Sequence, residues 1–168
     1  ATNGGAASTS TSYTYGGSAM SIPTPGARTG YNFLGWYSSP SNGTPVSRFV
    51  NGALQVTTFL PTQSTTLYAV WQAQQYTVTW DTATNGGAAS TASTYTYGGT
   101  ALSIPIPAAR TGYDFMGWYR QAAGLNPLAL HTNGSLNVLN MTPTQDERFY
   151  AVWQRSEEHT SELQSRSA

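Results

Sequence analysis

The 168-residue sequence has no cysteine and no lysine, and only 8% of it is charged. Without cysteine there is neither a disulfide nor a thiolate metal site to staple the fold, so any core must be held by apolar and aromatic burial. Residues 1–154 carry Arg28, Arg48, Arg110, Arg120 and Arg148 against Asp81, Asp114, Asp146 and Glu147, a near-neutral balance. That balance gives no electrostatic handle for nucleic acid or an anionic bilayer. No apolar run approaches the ~20 residues of a membrane helix, so insertion is not expected. Residues 1–72 contain no Asp, Glu, His, Lys or Cys at all. Neither a carboxylate pair nor a Ser-His-Asp arrangement can be built there, and no catalytic residue, cofactor or metal is expected.

What the chain does have, it has twice. Sliding residues 1–72 onto 83–154 gives 41 identities in 72 positions without a gap. Tyr31, Phe33, Gly35, Trp36 and Tyr37 recur as Tyr113, Phe115, Gly117, Trp118 and Tyr119, and Tyr68 to Trp71 recur as Tyr150 to Trp153. Solenoid repeats run roughly 20 to 50 residues because each unit cannot bury its own apolar face, whereas about 80 residues can close a small core. The expected organisation is therefore unit 1 at 1–72, a linker at 73–75 and unit 2 at 76–154. Unit 2 opens with Tyr76 to Thr82, while the aligned start of unit 1 falls before Ala1. Unit 1 is expected to lack its first strand, and the chain to be an internal fragment of a longer protein.

Within each unit the pattern is strand and turn. Tyr76, Val78 and Trp80 alternate with Thr77 and Thr79, which places three large residues on one face of a strand. Asn85-Gly86-Gly87, and Asn3-Gly4-Gly5 in unit 1, supply a tight reversal. A second strand is expected at Thr94–Tyr97 (12–15 in unit 1), a third at Tyr113–Tyr119 and a last at Phe149–Trp153. Pro105 and Pro107, like Pro23 and Pro25, predict an extended crossing segment. Residues 38–66 match their counterparts at 8 of 29 positions, against 28 of 37 for residues 1–37. The divergent stretch is expected to form loops or one short helix per unit, since connections tolerate change better than cores.

The run from Arg28 to Tyr37, with Leu67 to Trp71 about thirty residues on, resembles the Listeria-Bacteroides repeat, the B-repeat of internalin-type surface proteins. The resemblance covers nearly all of residues 1–154. It implies a mainly β, β-grasp-like module of four or so strands, repeated in tandem in secreted or wall-attached bacterial proteins. It also implies adhesion or protein contacts without catalysis, and Gly35, Trp36, Trp71, Gly117, Trp118 and Trp153 are its signature positions. The sequence departs from the family at Val70 and Val152, where a polar residue is common. The outer face of the last strand is thus expected to be covered by a neighbouring unit.

Few other residues invite a functional reading. His131 takes the place of Phe49 and is expected to be an imidazole in an aromatic packing position. The acidic residues lack the alternating spacing of a calcium loop. Asn42-Gly43-Thr44, Asn133-Gly134-Ser135 and Asn140-Met141-Thr142 match the glycosylation triplet, but such matches are common in Asn- and Thr-rich chains. From Arg155 onward the composition changes abruptly. Residues 155–168 resemble the translation of a sequencing adapter, which makes a metal site at Glu158, His159 and Glu162 an accident of read-through. Alternation in Leu67 to Trp71 puts the tryptophan inside and Tyr68 and Val70 outside. Tyr37, Tyr68, Tyr119 and Tyr150 are therefore the candidate partner-binding residues. The expected function is a non-catalytic stalk or weak multivalent binding unit on the cell surface, contacting neighbouring repeats, surface proteins or, as the alternative, glycans.

Overall fold

Alternation of large apolar residues with threonine, punctuated by glycine, yields strands throughout. The computed structural model describes residues 5, 7–41 and 43–156, and among those up to Arg155 no helix forms. The chain divides between Gln74 and Gln75 into two compact units. The first holds β1 (Met20–Ser21), β2 (Tyr31–Tyr37), β3 (Pro45–Val50), β4 (Ala53–Leu54), β5 (Thr58–Phe59) and β6 (Tyr68–Ala73). The second holds β7 (Gln75–Asp81), β8 (Thr91–Thr96), β9 (Leu102–Ser103), β10 (Tyr113–Tyr119), β11 (Pro127–Thr132), β12 (Ser135–Leu136), β13 (Asn140–Met141) and β14 (Glu147–Arg155).

Unit 2 is organised around a parallel pair. Its sheet runs β12-β11-β10-β14-β7-β8. β14 lies parallel to β7 with Glu147 opposite Val78 and Phe149 opposite Trp80, while the remaining neighbours are antiparallel. The inner face collects Val78, Trp80, Ile104, Phe115, Trp118, Ala129, Leu136, Phe149 and Ala151 into one core. Trp80 sits at its centre, 5.1 Å from the ring of Trp118 and stacked at 5.7 Å on Phe149. The proline segment crosses this face as expected, with Trp118 Nε1 donating to Pro105 O at 2.7 Å. Trp36 Nε1 donates in the same way to Pro23 O at 2.8 Å.

Phe115 and Trp118 are three residues apart, which in a regular strand would point them to opposite faces. A β-bulge resolves this, because the register of β10 against β14 shifts between Phe115 and Gly117. Gly117 adopts φ 137°, and an added Cβ there would overlap the carbonyl oxygen of Ala129. Gly35 repeats the angle, the shift and the close approach, in its case to Ser47 O. Glycine in the Gly-Trp-Tyr run is thus what lets both aromatics enter one core.

Three expectations need correction. The short helix in residues 38–66 and 120–148 is replaced in both units by a hairpin, β3–β4 and β11–β12. Asn51-Gly52 and Asn133-Gly134 turn these hairpins with positive φ at both positions, the type I′ geometry. Prolines on either side and the Asn-Gly reversal in the middle leave no uninterrupted stretch for a helix. Each unit also has more strands than the four or so expected. A two-stranded ribbon, β1–β5 or β9–β13, accompanies each main sheet.

The third correction concerns unit 1. Its sheet is β4-β3-β2-β6 and stops there. The second strand expected at residues 12–15 does not form, although residues 9–14 match β8 at three of six positions and differ only among Ser, Thr and Ala at the others. The reason is the partner strand: β8 pairs along β7 from Gln75 to Trp80, and among the described residues of unit 1 no strand takes that place. Tyr95 is buried whereas its counterpart Tyr13 is half-buried, and Tyr97 is half-buried whereas its counterpart Tyr15 is 86% exposed. β6 is six residues long against nine for β14, and the three missing positions match Glu147, Arg148 and Phe149, which pair with β7.

At the far end Arg155 belongs to β14, opposite Tyr113, and Ser156 N donates to Gly112 O at 3.1 Å. Sheet pairing therefore runs past the compositional boundary at 154. Asn3, Gly4, Asn42, Glu158, His159 and Glu162 lie outside the described residues.

Candidate binding face

Once the bulge has returned Trp118 to the core, the next residue must point away from it. Tyr119 lies directly opposite Tyr150, and Tyr37 directly opposite Tyr68. Opposed residues of an antiparallel pair project from the same face, so each unit carries a cross-strand tyrosine pair on its outer surface. All four are half-buried. One step along, Val152 faces Gly117 and Val70 faces Gly35. Val70 is 8% exposed and Val152 half-buried, so Val70 contributes little apolar surface to the face in unit 1.

In unit 2 the same strands border an open depression of about 490 Å³, lined by Tyr113, Met116, Tyr119, Val152, Trp153, Gln154 and Arg155. The Arg110 guanidinium covers the Tyr113 ring at 3.6 Å, and Arg28 covers Tyr31 at the same distance. The surface is aromatic and hydroxyl-bearing. It offers stacking and single hydrogen bonds, with the Arg110 and Arg155 guanidinium groups as its cationic members.

The signature tryptophans divide into two kinds. Trp36 and Trp118 hydrogen-bond the proline carbonyls and fill the core floor. Trp71 and Trp153 flank it, 5.1 Å from Phe33 and 5.3 Å from Phe115. Their Nε1 atoms are both buried and without an acceptor among the described residues. A buried indole N–H left so costs about 1–3 kcal/mol, and its recurrence in both units is a property of the repeat.

The titratable groups serve the fold individually. Asp81 is buried and accepts from Thr84 N at 3.0 Å, Ser90 Oγ at 3.1 Å and Arg148 Nη1 at 2.8 Å. The Thr84 backbone N–H, and then hydroxyl and guanidinium donors against the opposing effect of burial, hold its carboxyl below the usual value. Glu147 pairs with Arg120 at 3.1 Å, and Asp146 accepts from Thr77 N at 2.7 Å. His131 packs 5.4 Å from Phe115 with Nδ1 3.1 Å from Phe115 O, the place that Phe49 takes beside Phe33. Among the described residues no three His, Asp or Glu side chains converge on a metal position.

The bulged Gly-Trp-Tyr strand paired with Tyr-Ala-Val-Trp, found in both units, is matched by the family model of the Listeria-Bacteroides repeat domain over residues 1–70 and 76–152. The chain belongs to this family. It is a tandem pair of Listeria-Bacteroides repeats. Its relatives include a protein of Evansella cellulosilytica provisionally named a membrane protein, 27% identical over 94% of this chain and 21% of that protein. A second Evansella cellulosilytica protein, provisionally named a Gly-rich membrane protein, is 29% identical over 62% of this chain and 11% of that protein. Internalin H of Listeria monocytogenes serovar 1/2a is 31% identical over 61% of this chain and 16% of its own length. The pair of repeats thus spans about a fifth or less of the curated relatives it matches. No solved structure matches it.

Proposed function

We propose that these two repeats are a non-catalytic segment of a bacterial surface protein, serving as stalk and as a weak, multivalent protein-binding unit. The observation that carries this reading is the recurrence of the outward pairs Tyr37–Tyr68 and Tyr119–Tyr150 at matched positions of both units. A weak aromatic contact repeated along a chain gains avidity from its neighbours without needing a strong single site. Kinship with Internalin H and with proteins provisionally named as membrane proteins supports a location outside the cytoplasm, at the cell surface or in the wall.

The test is capture on a surface. The two-repeat chain displayed at high density should retain bacterial or host surface protein, and replacing Tyr37, Tyr68, Tyr119 and Tyr150 together by Ser should abolish retention with the fold intact. Equal retention by the replaced chain would sink the tyrosine-face reading, and no retention by either would leave the stalk role alone.

Glycan binding is the second reading, favoured by the open depression beside Tyr113 and Tyr119 in unit 2. Saccharide-dependent changes in tyrosine or tryptophan signals across an oligosaccharide panel would support it over protein contact.

A further inference from the structure

The outer faces of the two units share their tyrosine pair and differ beside it. In unit 1, Arg48 of β3 lies directly opposite Gly35, and Gly35 lies opposite Val70. The strand neighbours of Arg48 face inward. Ser47 is 1% exposed and exchanges two hydrogen bonds with the Val56 backbone, and Phe49 packs 5.4 Å from Phe33. Alternation therefore turns Arg48 outward, where it is exposed. Gly35 raises no side chain beside it. Tyr37 stands diagonal to Arg48 on the same face, a separation of about 7–8 Å that a long side chain spans.

Charge sets this arginine apart. Arg120 and Arg148 pair with Glu147 and Asp81, and Arg28 and Arg110 cover Tyr31 and Tyr113. Arg48 has no side-chain partner among the described residues. Strands β2, β3 and β6 contain no acidic residue, and Gln55, whose N–H donates to Arg48 O from the other side of β3, is neutral as well. The matched position in unit 2 is Leu130, opposite Gly117 and 37% exposed. One scaffold thus presents a guanidinium in the first repeat and an isobutyl group in the second.

We propose that the outer face of unit 1 binds an acidic protein segment, with a carboxylate held by Arg48 and the apolar side chain next to it laid on Tyr37 and Tyr68. This rests on the tyrosine-face reading and adds to it the chemistry of the partner. An exposed guanidinium takes a carboxylate through two parallel N–H···O bonds, and the tyrosine rings offer a flat apolar contact to its neighbour. A sulfated glycan is the poorer fit, since it calls for a row of cations where this sheet face has one. An exposed pair of this kind is weak and screened by salt, which suits a unit that gains its strength from repetition.

The test uses the intact chain and a short acetylated peptide of alternating glutamate and proline, followed by NMR. At low salt the peptide should shift the Arg48 side-chain N–H and the Tyr37 and Tyr68 ring signals saturably, and high salt should weaken binding more than about fivefold. A glutamine-proline peptide of the same length should produce no such shift. Arg48→Leu, which copies unit 2 at an exposed position, should keep the amide spectrum and lose the response, and Leu130→Arg should strengthen the response at Tyr119 and Tyr150. No response in the parent chain, or an equal one from the glutamine peptide or from Arg48→Leu, would overturn the proposal. So would tighter binding of a sulfated oligosaccharide than of the peptide at Arg48. Surface capture separates this proposal from the reading beneath it: retention that survives Arg48→Leu but not the four tyrosine replacements would leave the tyrosine face standing and remove its acidic partner.

Discussion

Trp80 and Trp118 meet with ring centroids 5.1 Å apart, and this contact separates the two units more than any other. Trp118 is 1% exposed beneath it, while Trp36, its counterpart, is half-buried. Removing the cover should convert unit 2 toward unit 1. Trp80→Ala is expected to cost unit 2 about 3–5 kcal/mol, as large aromatic truncations in cores do. Urea denaturation followed through assigned amide signals should show the unit 2 midpoint falling and the unit 1 midpoint unmoved.

The bulge glycine should be far less replaceable than the turn glycine. Gly117→Ala places a methyl group against Ala129 O at φ 137°, so a loss of about 2 kcal/mol or more is expected from strain and displacement of β11. At Gly134, φ is 82° but nothing lies within 4 Å of an added Cβ. Gly134→Ala should therefore cost only about 1–2 kcal/mol, the left-handed penalty by itself. Thermal melts of the two variants rank the effects.

Asp81 makes unit 2 sensitive to acid. Its native pKa lies below the ordinary value of 3.8, so its contribution to stability is present above that value and lost as the pH falls through the native one. Arg148 is half exposed and adds a screened share. The stability gap between the parent chain and Asp81→Asn should be largest near neutrality and should close as the pH falls below the ordinary carboxyl value of 3.8. A gap that widened on acidification would mean that burial, and not the hydrogen bonds, controls this carboxyl.

Much of the sheet was legible because period-two alternation and internal repetition reinforce each other at Tyr76–Trp80, Tyr113–Tyr119 and Phe149–Trp153. The outward direction of Tyr68 and Tyr150 was legible for the same reason. The bulge was not read from the Phe-x-Gly-Trp run, although a glycine inside a three-residue aromatic spacing carries that signal. The hairpins at Asn51-Gly52 and Asn133-Gly134 were obscured by the divergence around them and, at Asn133, by overlap with a glycosylation triplet. Strand formation at residues 9–14 was misjudged because it depends on a partner and not on local propensity. The orphan N–H of Trp71 and Trp153 is a packing outcome that no spacing announces.

The tyrosine pairs should matter for contact more than for folding. Tyr119→Ser with Tyr150→Ser is expected to lower unit 2 stability by no more than about 1 kcal/mol, the scale of a cross-strand pair. Circular dichroism melts check this, and a loss of several kcal/mol would mean that the pair belongs to the core.

The central claim is that matched segments of small polar residues and tyrosine form a strand in one repeat and not in the other because, among the described residues, only one has a strand such as β7 beside it. Amide hydrogen exchange of the intact chain tests this directly, comparing residues 9–14 with Thr91–Thr96. Slow exchange at the inward-bonded amides of Thr91–Thr96, beside near-unprotected rates for residues 9–14, is the predicted result. Equal protection of the two segments would contradict it.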